Sequence, residues 1–453
     1  MNNLRPVEGY VDDRPDEQVF QVHSDIFADP QIFELEQKHI FGKTWCFLAL
    51  ESQLSKPNDY ISTYIGTTPV LVMRDGKGRI GAFLNICRHK GAVLCRKDSG
   101  NSKFIVCNYH GWAYTTAGKS ADIKDVQGGC YPPSFETADH NLLPVARMEV
   151  YKGLIFGCLS PDVAPLAEHL GELRTFLDFA MEQGPQGMEF IPGRITYTFN
   201  ANWKLQMDNG TDFYHLTSTH PSFMEVVQRR ENENVGNTEA KMFDWSKRLT
   251  QNGGSFGFKN GHTVVWLNQP QPERRPVFSR LEEVRERLGD SHAEWMLKLR
   301  NITVFPNMQI ADATSLLLRT FRPIAPNKTE MRVYCMAPIG EDAEVRAFRL
   351  RQFEDFFNVS GFATPDDTTV YEDCQIGFAA GRGGWMQGYQ RGMTATVKGP
   401  SESARAIGLN PEFSVEGPWA IQNETCFHPT FRQWARMMKP ALQEASSTEG
   451  AVS

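Results

Sequence analysis

Cys87-Arg88-His89 and Cys107-Asn108-Tyr109-His110 decide how this chain reads. The first is Cys-x-His and the second Cys-x-x-His, with seventeen residues between them and Gly111-Trp112 directly after. Each segment offers one thiolate and one imidazole. A [2Fe–2S] cluster with two cysteines on one iron and two histidines on the other needs that set. Two loops can supply it from opposite sides. A structural zinc site also takes four Cys/His ligands, but its ligand pairs usually leave roughly two to four residues between them. Cys87 and His89 leave only one. The remaining plain reading is a satisfied core histidine beside a buried cysteine.

The four ligands, their spacing and the trailing Gly-Trp resemble the Rieske pattern. At 453 residues the chain has room for two or three domains. Hydrophobic residues make up 41% and charged residues 22%, the balance of a globular protein. The net charge is −7 and there is no basic tract, so nucleic-acid binding has no electrostatic support. No apolar run approaches a membrane span. Residues 1–21 are polar and acidic, without the apolar core of a signal peptide, so the expected location is the cytoplasm. Of the nine cysteines, the seven outside the motif are scattered without framework spacing and read mostly as buried free thiols. Cys95 lies between the two pairs but has no histidine at either spacing, and stays outside the ligand set.

The composition predicts an α+β protein in four parts. Residues 1–44 are an N-terminal arm and helix, the helix over 31–40 following Asp29-Pro30. Residues 45–160 form a small β-sandwich that carries the cluster. Strand-like runs at 60–65 and 69–73 are bounded by turn residues, and Asp75-Gly76-Lys77-Gly78 is a hairpin signal. Each ligand pair follows a further run, 82–85 or 104–106, which puts the ligands on loops. Residues 161–440 form a second domain, an antiparallel sheet flanked by helices. Its expected helices are 166–183, 280–288, 293–300 and 344–357, and its expected strands 194–199, 263–267, 315–319 and 331–335. Residues 441–453 are a flexible tail.

A second metal site lies in this larger part. His215 and His220 are five apart, which on an ideal helix would put them on different faces. Pro221 forces the residue before it out of the helical region, so His220 can turn back toward His215. Asp212 shares a helix face with His215 and is placed to bond its ring nitrogen. A non-haem Fe(II) oxygenase site needs two histidines and one carboxylate. Pro365-Asp366-Asp367, at the start of an expected helix, is the best source of that carboxylate. On spacing alone either acid could be the ligand, and either could simply cap the helix.

These motifs, with Asn202-Trp203-Lys204, resemble the large (α) subunits of Rieske aromatic-ring-hydroxylating dioxygenases over about residues 20 to 435. The stretches 258–262, 351–360 and 363–367 are similar to the benzoate, toluate and anthranilate branch. The resemblance implies a catalytic domain of helix-grip type and assigns the third iron ligand to Asp367. It gives Asp212 the link between the two metal centres and Asn209 a place near the iron. It also implies a trimer of α subunits, α3 or α3β3 with small β subunits, in which Asp212 of one chain meets His110 of the next. Asp208, Phe213 and Thr217-Ser218-Thr219 depart from that branch. They lie around the iron site, where the substrate is chosen.

The expected function is therefore a terminal oxygenase component. It holds a Rieske [2Fe–2S] cluster and mononuclear Fe(II), and it adds both atoms of O2 to a small aromatic acid of benzoate type. Electrons come from NAD(P)H through a reductase or ferredoxin, because the chain has no Gly-rich dinucleotide fingerprint. A Rieske monooxygenase, such as a salicylate hydroxylase or demethylase, would use the same scaffold. An electron carrier without oxygenase activity would not need His215, His220 and Asp367. Pocket residues are expected in 205–225, 256–270 and 300–320. Lys259, Asn260 and Arg319 are equal candidates to anchor a carboxylate.

Overall fold

The computed structural model describes residues 4–449 except 224, 227–228, 230–251, 270, 314 and 419; at 421 and 445–449 it describes the backbone alone. The chain divides into two compact units, residues 41–166 and residues 1–40 with 167–453.

The smaller unit is mostly β, with short helical turns such as Glu51–Leu54 and Pro133–Glu136. A four-stranded sheet pairs Ile80–Leu84, Thr68–Arg74, Asp59–Ile65 and Ser99–Asn101, all antiparallel. Two three-stranded sheets complete it. One joins Arg147–Tyr151, Leu154–Cys158 and Cys46–Leu50, and the other Phe104–Val106, Ala113–Thr115 and Ser120–Asp122. Leu71, Met73, Leu94, Ile105, Trp112 and Tyr114 pack around Cys87 and Cys107 in one apolar core. Burial of that many apolar side chains fixes the two loops that carry the cysteines.

The larger unit is built on an antiparallel sheet of ten strands among the described residues. Its centre runs from Lys328–Pro338 through Leu316–Ala325, Met308–Asp312, Leu299–Val304 and Thr263–Leu267 to Gly253–Gly257. The strands Thr263–Leu267 and Leu299–Val304 are buried along their whole length, so both faces are covered. Helix His428–Glu449 supplies Phe431, Trp434, Met438 and Leu442 to the core, all fully buried at helical spacing.

Several elements differ from the sequence reading. The N-terminal arm is instead a hairpin, Val11–Arg14 against Val19–His23, held by the buried Val11, Phe20 and Val22. The helix expected over 166–183 is interrupted. Leu166–Leu170 and Arg174–Met181 are separated by a 3-10 turn whose Gly171 has φ +51°. The helix expected over 293–300 is Asp290–Leu297, and Leu299 and Arg300 already belong to a strand. The last helix passes the boundary expected at 440, with Ala441 and Leu442 buried. Residues 450–453 of the expected tail lie outside the described residues. Among those described, no helix is long and apolar enough to cross a membrane.

Candidate metal centres

In the smaller unit the two ligand segments fold as near copies of one turn. Gly91 N–H donates to Cys87 O at 3.0 Å, and Cys87 N–H donates to Ala92 O at 2.8 Å. Gly111 N–H donates to Cys107 O at 3.0 Å, and Cys107 N–H donates to Trp112 O at 2.8 Å. Each turn closes through a glycine at positive φ, +73° at Gly91 and +75° at Gly111, a conformation that side chains disfavour. The sequence carried this signal as a glycine four residues after each cysteine.

The two turns bring Cys87, Cys107, His89 and His110 together. Both thiols are free and buried, and the imidazole centroids are 4.3 Å apart. The Nδ1 atoms of His89 and His110 are both buried without a hydrogen-bond partner. Two orphaned imidazole nitrogens beside two buried thiols fit a Rieske cluster, whose irons would satisfy all four. The ring of Trp112 stacks on His89 at 5.0 Å, which accounts for the tryptophan after the motif.

Tyr114, absent from the sequence reading, has its hydroxyl 3.4 Å from Cys87 Sγ and accepts the Arg88 N–H at 3.0 Å. With Cys87 as a cluster thiolate, which only accepts, the hydroxyl is the donor to the sulfur. Such a bond favours the more negative, reduced cluster. Tyr114→Phe is expected to lower the reduction potential by roughly 40–100 mV, taking a bond to charge as about 1–2 kcal/mol and tenfold as 59 mV for one electron. An EPR-monitored redox titration with no change in potential would remove the O–H···S bond from the account.

In the larger unit Asn202 caps helix Trp203–Asn209, and a short helix, Leu216–Thr219, follows. His220 lies just beyond it at φ −115° and ψ 45°, outside helical values, as expected of a residue before proline. Asp366 and Asp367 sit in the first turn of helix Thr364–Ala379. The sheet and helices bring His215, His220 and Asp367 together with one potential ligand atom of each within 4.8 Å of the others. Asp367 Oδ1 is 3.2 Å from His220 Nε2 and 3.6 Å from His215 Nε2. Two ligands roughly 2.1 Å from one ion and at right angles would be about 3 Å apart, so this trio fits a single metal ion.

Each ligand is held from behind. Asp212 Oδ1 takes a hydrogen bond from His215 Nδ1 at 2.6 Å, and Asp212 Oδ2 one from the His215 backbone N–H at 3.1 Å. Asp366 Oδ2 receives one from His220 Nδ1 at 3.2 Å. A carboxylate only accepts, so both protons lie on Nδ1 and both Nε2 lone pairs are free for a metal. Asn209 Nδ2 donates to Asp367 Oδ1 at 3.1 Å, and Tyr371 donates to Asn209 Oδ1 at 2.5 Å.

The sequence reading missed the Asp366–His220 pair and Tyr371. Tyr371 follows Asp367 by four residues on one helix, and that spacing could have revealed it. An open cavity adjoins the three ligands, lined also by Phe213, Leu216, Asn301, Arg319, Phe356 and Phe357. No described residue of 256–270 lines it; 270, like 224 and 314, is outside the described residues. Phe356 and Phe357 were not expected there.

Two family models match the chain. "Rieske [2Fe-2S] domain" covers residues 44–134, and "Ring hydroxylating alpha subunit (catalytic domain)" covers residues 192–440. The toluate 1,2-dioxygenase subunit alpha of Pseudomonas putida is 38% identical over 96% of this chain and 95% of its own. The 2-halobenzoate 1,2-dioxygenase large subunit of Burkholderia cepacia is 38% identical over 94% and 90%. The crystal structure of naphthalene 1,2-dioxygenase from Rhodococcus sp. superposes with a TM-score of 0.77 at 26% identity, covering 92% of this chain and 94% of that one.

Proposed function

The chain belongs to the ring-hydroxylating dioxygenase alpha-subunit family, and from that we propose that it dihydroxylates an aromatic acid of benzoate type. It is an oxidoreductase with a Rieske [2Fe–2S] cluster and mononuclear iron. Cys87, His89, Cys107 and His110 are assigned to the cluster, and His215, His220 and Asp367 to the iron. When bound, the cluster supplies electrons and the iron activates dioxygen.

The protein's own groups set the conditions. Asp212 and Asp366 fix the tautomer and orientation of the two imidazoles. Asn209, itself held by Tyr371, orients the Asp367 carboxylate. Phe213, Leu216, Phe356 and Phe357 give an aromatic ring apolar walls beside the ligands and keep water off it. The overall reaction adds both atoms of O2 to adjacent ring carbons. Two electrons and two protons balance it, and the product is a cis-dihydrodiol. The observation that carries the reading is the three-ligand site opening on a phenylalanine-walled cavity.

The electrons come from NAD(P)H through a separate reductase or ferredoxin. The relatives are named as alpha or large subunits, which supports a smaller partner subunit; a closed ring of three copies of this chain is the assembly the family resemblance implies. The mass of the co-expressed assembly checks that composition.

Turnover of benzoate under 18O2 with a reductase is expected to give a cis-diol carboxylate carrying both labelled atoms. A product with one label makes the enzyme a monooxygenase. No oxygenated product from any aromatic acid, with the cluster and iron both loaded, removes the aromatic-acid reading.

A further inference from the structure

Arg319 differs from the other arginines around its sheet. It lies on strand Leu316–Ala325, opposite Gln309 and Val333. Its side chain lines the cavity beside His215, His220 and Asp367. The neighbouring arginines have carboxylates. Arg275 and Arg300 share Asp312, Arg332 meets Glu330, and Arg349 meets Glu341. Among the described residues Arg319 has no hydrogen bond and no ion pair, and its Nε–H is buried without an acceptor.

Its two strand partners do not fill that role. Val333 is apolar. The Gln309 amide is already bonded to Gln206, Met207 O and Thr303. The cavity's two acids are also engaged, Asp212 with His215, and Asp367 with Asn209 and the two imidazole Nε2 atoms. Of the described lining residues Arg319 alone is a lysine or arginine. Arg319 is half-buried with its Nε–H out of water; a buried N–H left without an acceptor is costly, and a planar fork of N–H groups matches a carboxylate side-on. The other two anchors suggested by the sequence are elsewhere. Lys259 is exposed, and Asn260 donates to His169 O and accepts from Arg436.

We infer that Arg319 binds the carboxylate of the substrate and sets the preference of this site for aromatic acids over neutral arenes. The inference rests on the aromatic-acid reading above. The ring lies against the phenylalanine walls while its carboxylate takes Nε–H and an Nη–H of Arg319 together. A neutral arene fills the same walls and leaves the guanidinium unpaired. The competing role is a purely local one, in which Arg319 serves only as counter-charge to Asp367. That role predicts loss of iron and no discrimination between ligands.

The test uses the iron-loaded holoenzyme with benzoate and toluene as probes, binding measured by calorimetry and iron by metal analysis. Arg319→Gln is expected to weaken benzoate binding by roughly 10- to 100-fold, with toluene within about threefold and iron content unchanged. Arg319→Lys is expected to restore part of the benzoate affinity. Equal loss for both probes, or loss of iron in both variants, overturns the inference in favour of the local role. If wild type binds benzoate and Arg319→Gln binds it as tightly, only the role of Arg319 falls. If wild type binds toluene and not benzoate, the aromatic-acid reading falls too.

Discussion

Asp367→Ala is expected to hold about two irons per chain in place of about three, to keep its Rieske spectrum, and to show no turnover. Among the described residues Asp367 is the single carboxylate facing both Nε2 atoms, so its loss leaves two imidazoles and no anionic ligand from them. The cluster ligands lie in the other unit, so the substitution removes no cluster ligand. Asp366→Ala gives a graded contrast. Its carboxylate bonds His220 Nδ1, and helix Thr364–Ala379 shows no side-chain capping bond at its start. Removing the partner behind a metal-bound histidine costs about 10- to 100-fold in metal affinity. Asp366→Ala should therefore bind iron weakly and recover it at high Fe(II). A simple cap would have cost only about 1 kcal/mol of stability and no iron. Metal analysis with the two phenotypes exchanged would reassign the ligand.

That contrast shows where sequence reading reaches its range. The cluster ligands are legible because each Cys–His pair lies within one turn, and the turn geometry is local. His220 is legible for the same reason, since Pro221 acts on its immediate neighbour. The carboxylate is harder. Asp366 and Asp367 are adjacent in sequence, but on a helix successive side chains point about 100° apart, so one reaches Nε2 and the other Nδ1 of the same imidazole. Spacing left that choice open, and only the resemblance favoured Asp367. The cavity wall at Phe356 and Phe357 carries no local signal at all. The strand at Leu299 was read as helix because Ala293 to Arg300 keeps a helical pattern, while the fully buried sheet accepts any apolar run. Arg319 became distinguishable from Lys259 and Asn260 only when their partners could be seen.

The motif Asn202-Trp203-Lys204 has a structural purpose that leads to the second large effect. Lys204 and Glu36 are both fully buried, with Nζ 2.6 Å from Glu36 Oε1. Glu36 also accepts the indole N–H of Trp203 at 2.9 Å and of Trp434 at 2.7 Å. One carboxylate thus joins the N-terminal helix, the helix leading to His215, and the last helix of the chain. Burial lowers the Lys204 pKa, and the Glu36 charge and hydrogen bond oppose that shift. Lys204→Met leaves the Glu36 carboxylate buried with neutral donors only. The expected cost is about 3–5 kcal/mol, seen as a fall of roughly 3–7 °C in apparent Tm at fixed scan rate. The double variant Lys204→Met/Glu36→Gln removes both charges and keeps an amide oxygen for the indoles. Replacing a whole buried pair is often near neutral, so most of the loss should return. A double variant no more stable than Lys204→Met would show that packing around the two tryptophans, and not the stranded charge, sets the cost.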